Sequence, residues 1–422
     1  MTLNNVYIIG ISMVKFGKYI EKSEKDLTAT VVIDAIKDAG ISIKDIQSVW
    51  FSNSLWGYFS EQHAIRGQVA LRPLGIQGIP IINVENACAG GSTALHGAWM
   101  SVASGLYDCV MAVGVEKLFS NDKEKTFKAF WAGIDVSNVA EWMKKWKSAV
   151  EKVNFKLPDE FLSEEKEGDK RSAFMDLYAS WCRWHMAKYG TTQRQLAIIA
   201  SKNHFHSSLN PLAQFQIPMS VEDILNSRMV VYPLTVPMCA PIGDGAACAI
   251  VCSKDFLKKL NISTSVKIIA SVCGSGTDRD IEEENKDIAT RLSKTAYNIA
   301  NVGPEDIDVA EVHDATAFGE LHQTEALGFC PIGEGGIFAE SGATKLGGKI
   351  PINTSGGLES RGHPIGASGL AQVFEIVTQL RHEAGKRQVE NCQIGLVENG
   401  GGNLDFEEAA MCIHIFERVK NI

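Results

Sequence analysis

Residues 88–95 read Cys-Ala-Gly-Gly-Ser-Thr-Ala-Leu, and residues 363–370 read His-Pro-Ile-Gly-Ala-Ser-Gly-Leu. The two octets share a glycine at the fourth place and a leucine at the eighth, and each opens an alanine-bearing segment of helical character. Around them the pattern repeats in order. An Asp-Ile pair leads into an apolar strand at 45–52 and again at 306–313. A strand candidate follows each octet, at 109–116 and 392–399, and GAACAIV from Gly245 matches EAAMCIHI from Glu408. Four matches in one order define an internal repeat. Strand-like runs such as VYIIGI alternate with helix patterns, which makes the chain α/β, with two pseudo-symmetric halves in α/β/α/β/α layers. The halves span 1–118 plus 241–262 and 263–422. Residues 119–240 form an inserted loop domain, partly helical, with a charged stretch that reads as a solvated loop and a helical stretch from Phe174 to Ser208.

The repeat has a chemical consequence. It places Cys88 and His363 at equivalent positions, each at the threshold of a helix, where a pseudo-twofold axis would bring them face to face. A helix N-terminus lowers a thiol's pKa. A thiol nucleophile also needs a base and an oxyanion site. His363, between Gly362 and a Pro364 read as the first helical residue, is the base candidate. His313 ends a strand and can aim a ring nitrogen into the same cleft. The run Glu398-Asn-Gly-Gly-Gly402 follows a strand, and serial glycines let backbone N–H groups approach a ligand closely.

Bulk properties narrow the class. The chain of 422 residues is 45% hydrophobic and 22% charged, with a net charge of −9. An acidic balance argues against a nucleic-acid or anionic-membrane surface. The N-terminus has no basic region before its apolar run, and no stretch of about 18 apolar residues occurs, so neither a signal peptide nor a spanning helix is expected. Ten cysteines are scattered without a CxxC pair, which disfavours disulfide and zinc frameworks and points to a reducing cytoplasm. No metal site is expected, and His204-x-His206 lacks further ligands at suitable spacing. His185, His204 and His206 read as exposed or cofactor-adjacent. The tryptophans at 131, 142, 146, 181 and 184 read as core or interface.

Together NACAGGSTAL, YPLTVPMCAPIGDGAACAIV, the His-Asp-x-x-x-Phe motif, NTSGGLESRGHPIGASG and the glycine-rich terminal loop resemble the thiolases, of the sterol-carrier-protein and lipid-transfer branch. The resemblance implies Cys88 as the acylated nucleophile and His363 as its base. His313 stands where many thiolases carry an Asn. His313 and His363 would stabilise the enolate oxygen, and the N–H groups of Cys88 and Gly400 would form a second oxyanion hole. Coenzyme A is then a substrate, and no permanently bound cofactor is implied. One departure stands out: Glu398 occupies the place of a second cysteine that serves most thiolases as acid/base. A buried carboxyl can carry that proton, or Glu398 can be a structural or substrate-contacting residue. The departure resembles members that work with a small zinc-ribbon and OB-fold subunit around a homodimer core. The activity implied is CoA-dependent cleavage of a bulky or aromatic 3-oxoacyl-CoA, such as an aryl-succinyl type, in a β-oxidation-like catabolism. A retro-aldolase acting without acylation, and a non-catalytic acyl-CoA scaffold, are the alternatives.

Overall fold

The computed structural model describes residues 3–161, 171–260 and 264–420. Its strands are β1 (Val6–Met13), β2 (Ser48–Ser52), β3 (Ile81–Val84), β4 (Cys109–Glu116), the hairpin pair β5 (Met229–Val231) and β6 (Leu234–Thr235), β7 (Gly245–Ser253), β8 (Thr264–Ser275), β9 (Val309–Glu311), β10 (Ile394–Gly401) and β11 (Ala410–Lys420). The helices that matter here are α1 (Glu24–Ala39), α2 (Gly90–Ala103), α3 (Val139–Lys152), α4 (Ala173–Tyr189), α5 (Gln193–Ser208), α6 (Ile288–Ala300), α7 (Ala317–Ala326) and α8 (Ile365–Arg381).

Every residue of β1, β4 and β7 is buried. That is why these strands read as unbroken apolar runs: they are covered on both faces. Nine strands hydrogen-bond in the order β3-β2-β4-β7-β1-β8-β11-β10-β9. The order is palindromic about β1 and β8, because β2 pairs in parallel with β3 and β4, and β9 pairs in parallel with β10. Ala310 of β9 also bridges Ile352 in parallel, at the place that β3 holds beside β2. The layering expected from the sequence is present with one change. The two halves share a short antiparallel ladder, Val6–Ile8 against Val266–Ile268, and so form one sheet rather than two.

Helices α2 and α8 lie between the halves and touch strands of both. Their apolar faces share one core, which includes Leu95, Ala98, Leu370 and Val373 together with Val6, Val110 and Phe416. Helix α1 covers the outer face of the first half, and α6, with the end of α7, that of the second. The two central helices pack backbone to backbone. A Cβ placed on Gly91 would lie 3.0 Å from the Leu370 nitrogen, and one on Gly369 would lie 2.6 Å from the Ser92 nitrogen. Only glycine permits that approach.

The helical stretch expected from Phe174 to Ser208 is two helices. Gly190, with φ of 79°, ends α4 in the left-handed conformation, and a Thr192–Gln195 capping box opens α5. Part of the charged stretch read as a solvated loop, residues 162–170, lies outside the described residues. Trp142, Trp146, Trp181 and Trp184 are buried in a core shared with Phe318 and Leu321 of α7, so the insertion is anchored on the second half. All ten cysteines are free. Among the described residues no helix is long and apolar enough to cross a membrane.

Candidate active site

Cys88 lies two residues before α2 and His363 two residues before α8, so the repeat places them alike. Pro364 is the N-cap of α8 rather than its first turn. A π-helical turn, Gly357–Arg361, and Gly362 at φ of 110° deliver His363 to this position. The turn is fixed from beneath. Arg361, fully buried, pairs with Glu311 of β9 at 3.2 Å, and the Gly366 N–H donates to Glu116 at the end of β4 at 3.1 Å.

The Cys88 sulfur and one ring nitrogen each of His313 and His363 lie within 4.8 Å of one another. The two imidazoles meet edge to face, with centroids 5.2 Å apart and planes at 83°. Hydrogen bonds assign their tautomers. Ser368 Oγ donates to the Pro364 carbonyl at 3.0 Å, so it accepts from His363 Nδ1 at 2.7 Å. His363 Nε2 is then the free base. The Asn399 amide donates to His313 Nδ1 at 3.1 Å, which leaves the His313 proton on Nε2. One ring accepts a proton and its neighbour donates one.

Burial sets the charge states. It pushes the Cys88 thiol up to about 12, aided by the carboxylates of Glu116 and Glu85 and opposed by the backbone N–H groups of Cys88 and Gly402. Burial thus outweighs the lowering expected from the helix N-terminus. Burial also holds His313 down to about 4. Burial, then His313 and Arg361, hold His363 well below the usual imidazole range. Both shifts favour a neutral thiol beside a neutral imidazole, an arrangement in which the imidazole can take the thiol's proton.

One expected residue stands elsewhere. Glu398 is fully buried within β10, between β9 and β11, and its Oε2 accepts the His313 backbone N–H at 2.8 Å. It lies behind His313 and is not part of the cavity wall. The glycine N–H that faces the thiol is that of Gly402. Gly400 is still paired with Met411 in the ladder, whereas Gly402 has left β10 at φ of 65° and turns its N–H toward Cys88.

Cys88, His313 and His363 open into a cavity of about 1080 Å³. Its wall is mostly apolar and comes largely from the insertion, including Phe130, Phe174, Met175, Tyr178, Met219 and Met229. His204 also lines it; His185, His204 and His206 are all buried, not exposed. His206 is held by the Asn353 carbonyl and the Leu346 N–H, and His185 by Thr191 and Glu325. Asp314 accepts the Leu358 N–H at 2.7 Å and so ties the π turn to β9. The thiol and imidazoles are also the donor types a thiophilic ion such as zinc prefers, and among the described residues no other cysteine, histidine or acidic trio lies close enough to hold one. Reading motifs alone missed Ser368, Asn399 and Glu116, because each acts through a contact remote in sequence or through a hydrogen bond.

Replacing His313 by Ala is expected to lower kcat roughly 10²-fold, the smaller end of the range for one oxyanion donor, because a protonated His363 still donates. Steady-state kinetics check it; an unchanged kcat would remove His313 from the chemistry.

Residues 6–231 match the family model for the thiolase N-terminal domain, and residues 278–415 match that for the thiolase C-terminal domain-like family. The acetyl-CoA acetyltransferase of Methanothermobacter thermautotrophicus is 38% identical over 421 residues, covering 99% of this chain and 100% of its own. The benzoylsuccinyl-CoA thiolase subunit BbsB of Thauera aromatica is 34% identical over 389 residues, 91% of each chain. Among solved structures, the Ltp2-ChsH2(DUF35) aldolase has a TM-score of 0.76 at 23% identity over 98% of both chains. The chain belongs to the thiolase family. It is an acyltransferase of that kind.

Proposed function

We propose that this thiolase uses CoA to cleave a bulky or aromatic 3-oxoacyl-CoA in catabolism, through an acyl group carried on Cys88. The observation that carries the reading is the cavity of about 1080 Å³, apolar and rich in aromatic and methionine side chains, ending on the Cys88–His313–His363 cluster. His363 Nε2 takes the Cys88 proton as the sulfur attacks the 3-keto carbon. The C2–C3 bond breaks, and the oxygen of the departing CoA ester enolate accepts hydrogen bonds from His313 Nε2–H and the newly protonated His363. The N–H groups of Cys88 and Gly402 hold the acyl oxygen. Arg228, exposed where the cavity opens, suits the phosphates of CoA.

The palindromic strand order supports the division into halves at 1–118 plus 241–262 and 263–422, with the site between them. A homodimer core joined by a small zinc-ribbon and OB-fold subunit follows from the resemblance and from Glu398 in place of a second cysteine. The Thauera relative is itself named a subunit.

A panel of 3-oxoacyl-CoAs, read by CoA consumption and by mass of the intact protein, tests the reading. Aryl and branched substrates are expected to exceed acetoacetyl-CoA in kcat/KM by about 10–100-fold, the scale on which apolar pockets discriminate. A preference for acetoacetyl-CoA would overturn the bulky class. Cleavage that consumes no CoA and adds no mass to Cys88 would make the protein a retro-aldolase.

A further inference from the structure

Thiolysis needs a second proton carrier. When C2–C3 breaks, the α-carbon must be protonated, and His363 at that moment holds the Cys88 proton beside the enolate oxygen. Glu398 does not reach the cavity. Two carboxyl groups line it, Glu359 and Glu408. Glu408 lies in the return between β10 and β11, against the glycine run whose Gly401 and Gly402 also wall the cavity. A Cβ on Gly400 would lie 2.9 Å from the Glu408 Cγ, so the glycine leaves room for this side chain. Next to it, Glu407 is fully engaged: it accepts the N–H groups of Thr277 and Ile288 and sits by Arg279. Glu408 is different. Gln323 of α7 donates to its Oε1 at 3.1 Å, and its buried Oε2 has no partner; the Glu359 oxygens are unpartnered too, but of the two carboxyls it is Glu408 that packs against Gly400. A buried acceptor left unpaired costs stability unless a ligand completes it.

We propose that Glu408 is the acid/base that delivers a proton to the α-carbon of the departing CoA ester and recovers one from the CoA thiol. The inference rests on the thiolase reading above. In the first half, the electron pair of the broken C2–C3 bond passes to the enolate and then takes the proton of the Glu408 carboxyl. This releases the shorter CoA ester and leaves a Glu408 carboxylate, an acyl-Cys88 thioester and a protonated His363. In the second half, the carboxylate removes the proton of the CoA thiol, whose sulfur attacks the thioester. The departing Cys88 sulfur takes its proton back from His363. Both groups return to their starting states, and no other reactant is needed. Burial, with the neighbouring Asp287 carboxylate, raises the Glu408 carboxyl to about 7, while His322 and Arg279 pull it down. A group so poised both gives and takes a proton near neutrality.

The test separates proton transfer at carbon from acylation at sulfur. Wild type and Glu408→Gln are incubated in D2O with acetyl-CoA and with succinyl-CoA, and α-carbon deuteration is followed by NMR. Acylation of Cys88 is followed separately by mass with a 4-nitrothiophenyl ester, whose leaving group needs no proton. Glu408→Gln is expected to lose α-carbon exchange by about 10²–10⁴-fold, the usual range for general acid–base catalysis, and to keep acylation within about threefold of wild type. Glu408→Asp is expected to recover part of the exchange. Exchange at the wild-type rate in Glu408→Gln overturns the proposal, as does loss of exchange and acylation together. Loss in Glu359→Gln instead moves the role to Glu359 and overturns it too. A wild type that acylates Cys88 yet deuterates neither ester removes the proton role alone. A wild type that never acylates Cys88 removes the thiolase reading itself.

Discussion

Changing Cys88 to Ser is expected to lower thiolysis by at least about 10⁴-fold, the scale on which removal of a nucleophile acts, and to abolish the acyl-enzyme mass. The substitution is nearly isosteric, so the cavity and the tautomers of His313 and His363 should persist, and the urea midpoint should stay close to that of wild type. Catalysis fails for a chemical reason. The Cys88 thiol is already pushed up to about 12, so its deprotonation depends on His363 taking the proton during attack. A serine hydroxyl is a weaker acid than a thiol, and the His363 imidazole, held neutral by burial, is too weak a base to close that larger gap. Single-turnover mass spectrometry with a 3-oxoacyl-CoA reads the outcome. Turnover within tenfold of wild type would mean that no covalent acyl step occurs and would favour aldol-type cleavage.

The repeat was legible because both octets open helices that cross each other, where small residues let the backbones approach. CAGGSTAL and HPIGASGL resemble one another because α2 and α8 cross through Gly91 and Gly369, and a shared crossing selects shared small residues. Cys88 and His363 follow from that symmetry. Glu398 was a weaker reading because position in a motif does not fix the direction of a side chain. In β10 the carboxylate turns toward the backbone of His313, and the ladder with β9 and β11 leaves it behind the cavity wall. Gly402 was not singled out because the end of a strand is not marked within a run of three glycines. Glu408 carries no local signal: its importance comes from the chain returning past Gly400 and from Gln323 on α7. His204 and His206 looked polar enough for a surface, yet α5 is buried along much of its length between the rest of the insertion and the second half.

Gly369→Ala is expected to cost about 3 kcal/mol of stability, the upper part of the usual range for overpacking, and more than about 10² in activity. In an ordinary helix the same change would stabilise by about 1 kcal/mol, since alanine is the better helix former. Here the sign reverses. The new methyl carbon would lie 2.4 Å from both Ser92 Oγ and Asn399 Oδ1, and 2.6 Å from the Ser92 nitrogen. Side-chain rotation can relieve the first contact, but the backbone nitrogen yields only if α2 shifts as a unit. Each atom pressed belongs to a carrier of the site. Ser92 lies one turn after Cys88, Asn399 orients His313, and residue 369 itself lies on the helix that follows His363. A displacement of a few tenths of an ångström between α2 and α8 would therefore misplace the thiol, its base and its hydrogen-bond donor together, and near-attack geometry tolerates little error. Urea unfolding with steady-state kinetics on the same preparation tests this. A variant as stable and as active as wild type would show that the helix crossing is loose, and that the symmetry of the repeat does not hold the catalytic atoms in register.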